Sequence, residues 1–498
     1  YSPYTNQVFL TQLSAEDCGV FQEKLFKFPG FYIQRRTIRQ YNYNSGAHIL
    51  GDIGEVSKQE MEDDEYYLPG DFIGKLGVER SYEKQLRGEK GVEVLLRDAH
   101  GRIQGNYMEG KFDKAPVPGK NLTLSLDIEL QMLGERLLEG KIGSIVAIEP
   151  STGEVLCLVS SPTYDPSLMI GRDRGKNHLA MSKDPWKPLL NRAIMGAFPP
   201  GSTFKTTQAL TFLQEGIINT GTMYPCSGGF SYRGLHVGCH AHPSPLSLIP
   251  AIATSCNGYF CWGLYYMIGA RQKYGSVQKA MNTWRDYMVS MGFGYQLGID
   301  LPGEKRGMIP NAQYYDKAYR RSWNGLTIIS ISIGQGEVTA TPLQIANLGA
   351  TIANRGYFVT PHVVKEIEGE SIDSIYTTRR YTKVDKGHYE EVVQGMRSAV
   401  LGGTCRTANI PKLEICGKTG TAQNHGKDHS AFMGFAPMNN PKIAIAVYVE
   451  NGGWGATYGV PIGKLMIEKY LTGKLTAEDE ALATDIQNRR IDYGLQER

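Results

Sequence analysis

The chain has 498 residues, 41% of them hydrophobic and 21% charged, which is enough apolar material for a large core and, by length, two to four domains. A formal net charge of +3 is small for that size and gives no electrostatic case for nucleic acid. No uninterrupted apolar run reaches the ~18 residues of a membrane-spanning helix; the best, Ile443 to Val449, has strand length.

The sequence starts at Tyr1 without a methionine or a signal peptide, so it reads as a mature or truncated form whose targeting is not legible there. Residues 1–118 are polar and rich in Tyr, Gly and charge, and they hold no constellation of catalytic residue types. Short strands are expected at Phe31-Tyr32-Ile33 and Val92 to Leu96, a solvated loop at the acidic cluster Glu60 to Glu65, and a turn followed by a short helix over Gly70 to Leu86. This part reads as a structural or docking module.

The breaker cluster Pro116-Val117-Pro118-Gly119 marks a boundary, and a second domain is expected over 119–475. Leu122 to Leu126 alternates as a half-buried strand, and Ile128 to Leu138 has helical spacing. Ser144 to Ile148 and Glu154 to Val159 flank Pro150-Ser151-Thr152-Gly153 as a hairpin. Residues 160–198 show no periodicity and read as a long excursion.

Helical and loop material then runs to about 410, with a Gln335-Gly336 turn and a helix from Pro342 to Thr351. Strands return at Ala431 to Phe435 and Ile443 to Val449, and Gly463 to Leu471 closes the domain as a helix. Strands at both ends of a helical block imply one mixed sheet completed by distant parts of the chain, an α+β arrangement. Residues 476–498 are charged and read as a surface tail or a late helix.

Pro199-Pro200-Gly201 ends what precedes it, so a helix can begin at or just before Ser202, with Lys205 three residues on and on the same face. A hydroxyl too weakly acidic to attack unaided then has an amine within reach. The spacing alone is cheap, because Ser81-Tyr-Glu-Lys84 and Ser276-Val-Gln-Lys279 share it and an ordinary helix N-terminus explains any one of them. Two further elements single out Ser202: Ser255-Cys256-Asn257, which has a look-alike at Ser322-Trp-Asn324, and Lys418-Thr419-Gly420-Thr421, the only Lys-Thr-Gly in the chain.

The ordered set Ser-x-x-Lys, Ser-x-Asn, Lys-Thr-Gly resembles that of the penicillin-recognising serine acyltransferases over about residues 119–475. Pro-Pro-Gly-Ser-Thr-Phe-Lys, Ser332-Ile-Gly-Gln-Gly336 followed by Thr341-Pro-Leu-Gln-Ile-Ala346, and His429 to Pro437 are similar to class B penicillin-binding proteins. Leu68-Pro-Gly-Asp-Phe-Ile-Gly74 and the Gly-Gln-Gly turn resemble the penicillin-binding protein 2 branch more than its divisional counterpart. Gly74 to Lys84 resembles the family's N-terminal pedestal, which removes Ser81 and Lys84 as a catalytic pair.

The resemblance implies a penicillin-binding, β-lactamase-like transpeptidase domain on an elongated pedestal that serves dimerisation or partner docking. It implies a D,D-transpeptidase that takes a stem peptide ending in D-Ala-D-Ala as acyl donor and a second stem peptide's amine as acceptor, cross-links peptidoglycan in cell-wall elongation and shape maintenance, and is inhibited by β-lactams. Ser202 would attack, Lys205 accept its proton, Ser255 relay a proton to the departing amine, and Asn257 hold the substrate amide and orient Lys205. Lys418, Thr419, Gly420 and Thr421 would meet the substrate carboxylate, with the N–H groups of Ser202 and Thr421 as oxyanion hole. It also implies an inner-membrane anchor before Tyr1, a periplasmic location, and a membrane-embedded elongation glycosyltransferase and scaffold proteins as partners. A β-lactamase or carboxypeptidase would not need the first 118 residues, and an inactive scaffold would be expected to trade away Ser255, Asn257 or Lys418.

Eight cysteines are too few for a disulfide framework at this length, yet Cys226, Cys239, Cys256 and Cys261 fall in one short window. The pattern Cys226-x12-Cys239-x2-His242-x13-Cys256 suits tetrahedral, structural Zn2+, with His240 as the competing imidazole. A Cys226 to Cys239 disulfide and buried free thiols are the alternatives.

Overall fold

The computed structural model describes residues 7–10, 13–34, 38–100, 102–424 and 426–495, and its chain divides into two compact units. Unit 1 comprises residues 1–123 together with 164–184 and 366–371; unit 2 holds the remainder. The expected boundary near 118 therefore falls close to the first break. The excursion at 160–198 is no featureless loop: it carries the helices Arg174–Lys183 and Arg192–Met195, and its middle belongs to unit 1, where Arg174 pairs with the buried Asp52.

Within unit 1 two small antiparallel pairs form, Ile53–Glu55 with Phe72–Gly74 and Leu95–Arg97 with Ile103–Asn106. The acidic cluster read as a loop is largely the helix Lys58–Asp63, because Ser57 and Glu60 cap it reciprocally: Glu60 N–H donates to Ser57 Oγ, and Ser57 N–H to Glu60 at 2.7 Å. No strand forms at Phe31-Tyr32-Ile33; Phe31 and Tyr32 lie exposed, Phe31 N–H turns back to Phe28 O, and no strand among the described residues pairs with them. Over Gly70 to Leu86 the structure has a strand and then two short helices, Gly77–Ser81 and Glu83–Arg87.

Unit 2 is built on a five-stranded antiparallel sheet in the order Cys416–Ala422, His429–Ala436, Ile443–Val449, Gly143–Ile148, Val155–Ser161. The hairpin read at 144–159 thus joins strands that lie almost 300 residues later, as a sheet closed from both ends requires, but the sheet is antiparallel throughout and not mixed, because no pair of neighbouring strands is joined by a parallel crossover. All five strands are buried on both faces. Ile145, Ala147, Ile443, Ile445 and Val447 point to one face, where they pack with Leu130, Leu137, Ile462 and Met466 from the helices Ile128–Leu137 and Gly459–Thr472. Against the other face lies Pro342–Ala353, a fully buried helix started by Thr341 and Gln344 in a capping box with Pro342 at its first position.

The charged stretch from 476 takes its helical option, Ala477–Asn488, which is docked rather than loose. Ala483 and Ile486 enter the same core, Arg136 reaches Glu480, Thr484 and Gln487, and Tyr493 accepts from Ile142 N–H at 2.8 Å. Ile486 is wholly buried, so Ile486→Ala is expected to destabilise unit 2 by about 2 to 4 kcal/mol, read as a lower denaturant midpoint.

Candidate active site

Ser202 sits on a 3-10 turn, Gly201–Phe204, that runs directly into the α-helix Lys205–Gln214. The expected helix is there, but its first turn is tighter than α. Gly201 has φ +57°, and a Cβ there would meet Thr421 O at 2.8 Å, so glycine lets the serine turn lie backbone to backbone against the Lys418-Thr-Gly strand. Gly201 N–H donates to Gly334 O at 3.0 Å, which is how the Ser332 to Gly336 stretch holds the turn from the other side.

Lys205 and Lys418 are both completely buried, and both aim at Ser255. Lys205 Nζ donates to Ser255 O at 2.6 Å, Ser255 Oγ at 3.1 Å and Asn257 Oδ1 at 2.6 Å. Lys418 Nζ donates to the same Ser255 Oγ at 2.7 Å. None of the Lys205 bonds goes to Ser202: an ammonium has three N–H bonds, and three acceptors already use them. Loss of one proton frees a lone pair, which is the state in which Lys205 can act as a base.

Burial drives that loss. It lowers the Lys205 amine to about 8, against the opposing pull of nearby thiolates, chiefly Cys239. Lys418 is pushed well below the ordinary lysine range by burial and by the charge of Lys205. Ser255 itself adopts φ +57°, an uncommon left-handed conformation for a residue with a side chain, in a tight bend that brings its carbonyl and hydroxyl to one amine.

Asn257 begins the helix Asn257–Gly269. Its Nδ2 donates to Gly238 O at 2.7 Å, which fixes the amide so that Oδ1 faces Lys205. Thr421 O accepts from Gln335 Nε2 at 3.3 Å. In a strand the N–H and C=O of one residue point to the same side, so the Thr421 N–H also faces out from the sheet edge. Thr419 Oγ1 shares a hydrogen bond of 2.9 Å with Thr404 Oγ1, and Gly455 N–H lies 3.4 Å from Thr421 Oγ1.

The structure thus brings together Lys205, Ser255, Asn257 and Lys418, and sets the Ser202 turn against Thr421. It does not bring in the look-alikes. Ser81 and Lys84 lie exposed in unit 1, Ser276 Oγ only caps a helix by accepting from Lys279 N–H, and Asn324 only closes a local turn onto Leu326. Thr404 carries no signal in the sequence, and Gln335 is legible there only as part of a turn, since nothing nearby in the chain marks either as a partner of the Lys418 strand.

Cys226, Cys239, His242 and Cys256 place their donor atoms within 4.8 Å of one another, and all eight cysteines are free thiols. His242 Nε2 lies 3.4 Å from Cys239 Sγ while Nδ1 donates to Pro243 O at 2.7 Å, which leaves the Nε2 lone pair turned to the sulfurs. Backbone N–H groups of Asn257 and Tyr259 reach Cys239 Sγ and Cys256 Sγ, each at 3.3 Å. Cys239 is held well below the usual thiol range by hydrogen bonds, first from Cys256 and then from His240, Asn257 and His242. Three sulfurs and an oriented imidazole in so small a volume fit tetrahedral zinc, with no open position for a catalytic water. His240 stands apart, its Nδ1 at 4.0 Å from Cys239 Sγ and its ring outside the four-donor group.

Residues 143–468 match the penicillin binding protein transpeptidase domain, and residues 1–124 the penicillin-binding protein dimerisation domain. The chain is 36% identical over 479 residues to a peptidoglycan D,D-transpeptidase, MrdA, of Acinetobacter baumannii, covering 89% of this chain and 68% of that one. Its structure is similar to that of Pseudomonas aeruginosa PBP2 in complex with WCK 5153, with a TM-score of 0.75, 32% identity, and coverage of 89% and 93% of the two chains. It is also similar to PBP2 of Helicobacter pylori in its complex with MreC, with a TM-score of 0.77, 28% identity, and coverage of 93% and 84%.

The buried amine gives a pH signature. Covalent labelling of Ser202 by a penicillin is expected to quicken about tenfold per pH unit below about 8 and to level off above it, where Lys205 is neutral. An ordinary exposed lysine would instead carry the rise on toward pH ~10. Stopped-flow acylation rates across pH 6 to 10 read the difference.

Proposed function

Because the chain belongs to the penicillin-binding protein transpeptidase family, we propose that Ser202, Lys205, Ser255, Asn257 and Lys418 form the catalytic group of a peptidoglycan D,D-transpeptidase of the penicillin-binding protein 2 type. The observation that carries this assignment is the convergence of two wholly buried amines on one hydroxyl beside the Ser202 turn. The protein cross-links stem peptides through a serine acyl-enzyme during cell-wall elongation, and β-lactams inhibit it by stopping at that acyl-enzyme.

Ser202 Oγ attacks the carbonyl carbon of the penultimate D-Ala, and its proton passes to neutral Lys205 Nζ. The oxyanion that forms is met by the N–H groups of Ser202 and Thr421; one such donor is worth about 3 kcal/mol. As the C–N bond breaks, the departing D-Ala nitrogen takes the Ser255 hydroxyl proton, which the Lys205 ammonium replaces across the 3.1 Å contact. Lys418 stabilises negative charge on Ser255 Oγ while that proton is in transit. The acceptor amine then attacks the acyl-enzyme, its proton returns by the same path to Ser202, and a new amide leaves. Thr419, Gly420 and Thr421 present the strand on which the donor's terminal carboxylate rests.

Cys226, Cys239, His242 and Cys256 hold Zn2+ in this reading. Bound zinc neutralises the mutual repulsion of the thiolates and fixes their positions; it has no part in the chemistry. The support is the donor geometry and the two bridges to the active site, Asn257 N–H to Cys239 Sγ and Asn257 Nδ2 to Gly238 O. Through them the cluster holds the residue that orients Lys205.

The protein works in the periplasm, tethered to the inner membrane by a segment upstream of Tyr1; no helix among the described residues is long and apolar enough to cross a membrane. Its partners are a membrane-embedded elongation glycosyltransferase and scaffold proteins, met through the N-terminal module. Support comes from two similar structures, the H. pylori PBP2 bound to MreC and a peptidoglycan synthase complex that coordinates polymerization and crosslinking.

Ser202→Ala is expected to abolish labelling by a fluorescent penicillin, while Ser81→Ala and Ser276→Ala label as the parent does; equal loss in all three would overturn the assignment. Metal analysis of chelator-free protein is expected to give about one zinc per chain. Cys226→Ser should lower the zinc content, the thermal midpoint and the acylation rate together, and a preparation without zinc would remove the metal from this reading.

A further inference from the structure

The turn that follows the helix Lys386–Leu401 does something its position in the chain does not announce. Thr404 N–H donates to Ala253 O at 3.1 Å, two residues before Ser255, and Gly403 and Cys405 N–H both return to Ala399 O at 3.0 Å. Gly403 permits the approach: a Cβ there would meet Ala253 O at 2.2 Å. Cys405 is completely buried beneath the turn. Thr404 is therefore fixed to the segment that carries Ser255, and its hydroxyl reaches Thr419 Oγ1 on the neighbouring strand at 2.9 Å. One side chain ties the Ser255 loop to the Lys418-Thr-Gly strand.

A hydroxyl has one proton to donate and two lone pairs. With no substrate present, Thr419 Oγ1 donates the one hydrogen bond between the two threonines to Thr404 Oγ1. Once a carboxylate arrives, Thr419 must give its proton to that anion, so the bond between the two threonines can persist only if Thr404 becomes the donor. Hydrogen bonds in such a chain polarise and strengthen one another, most of all when the terminal acceptor carries charge.

We infer that Thr404 is a positioning residue for substrate carboxylate recognition, donating to Thr419 so that Thr419 donates to the anion. The inference rests on the transpeptidase reading and adds a residue to it. It predicts a loss specific to the charged group, whereas a turn that merely holds the loop in place would affect every acylating agent alike.

The test compares second-order acylation rates for a penicillin and for its methyl ester, which lacks the anionic carboxylate, in the parent, Thr404→Val and Thr404→Ser. Thr404→Val is expected to slow acylation by the acid about tenfold and to change the ester rate little, so that the acid-to-ester ratio shrinks about tenfold, the size of one hydrogen bond to a charged chain. Thr404→Ser, which keeps the hydroxyl, should restore the ratio. Parallel loss for acid and ester, an unchanged ratio, or failure of serine to rescue it would overturn the inference while leaving the transpeptidase reading standing. A parent protein that neither reagent acylates would overturn both.

Discussion

Two lysines sealed from water and pointed at the same hydroxyl oxygen set the terms for the rest of the molecule. Desolvation penalises each ammonium, and when both are charged they repel. The cluster is tolerable only if one amine stays neutral or the negative charge of a reaction arrives nearby, and those are the states catalysis passes through. Holding the amines in place takes buried hydrogen-bond acceptors: Ser255 supplies its carbonyl and hydroxyl from a left-handed bend, and Asn257 adds its amide oxygen.

That bend needs support on every side. The helix from Lys205 is buried along nearly its whole length, so the first lysine cannot swing out. The second rides on a strand clamped at its neighbour by seven residues of antiparallel register. The Ser255 loop is held from below by the end of the helix Leu248–Ala253 and from the side by the sulfur cluster. The pieces come from residues 201–257 and 334–421, so the site exists only once the sheet has closed around segments far apart in sequence. Its chemistry is thus tied to the folding of unit 2 as a whole.

Legibility in the sequence followed the range of the interaction. Ser202 and Lys205 sit on one turn, Ser255 and Asn257 on one bend, and Lys418 to Thr421 on one strand, so each is a short word that can be read locally, and their order supplied the rest. The buried strands and the capped helix at Pro342 were readable for the same reason, since apolar runs and cap residues are local signals. Thr404 was not, and Gln335 was readable as a turn but not as a partner of the Lys418 strand, because Thr419 and Thr421 lie 15 and 86 residues away and neither contact belongs to a repeating pattern. The helix at Lys58 was missed where a capping box outweighed an acidic composition. The return of residues 164–184 to unit 1 depends on a pairing such as Arg174 with Asp52, 122 residues apart.

The strand that carries Lys418 is the outermost of its sheet, with His429–Ala436 on one flank and, among the described residues, no strand on the other. Soluble proteins usually blunt such a margin with charge, proline or a covering loop, because unspent backbone groups recruit any extended chain and invite aggregation. Here the strand is buried except at Thr421, which is partly open to solvent and whose carbonyl accepts from Gln335 Nε2 at 3.3 Å beside the Ser202 turn. Under the proposed function, what would elsewhere be a hazard would become a ruler: an extended peptide aligned there would be registered by main-chain bonds, whatever its side chains, with one particular carbonyl over the serine. A molecule with an anionic group and a strained amide held at the same separation needs no flexibility to match that ruler, so a rigid inhibitor can compete with a floppy substrate that must first be straightened.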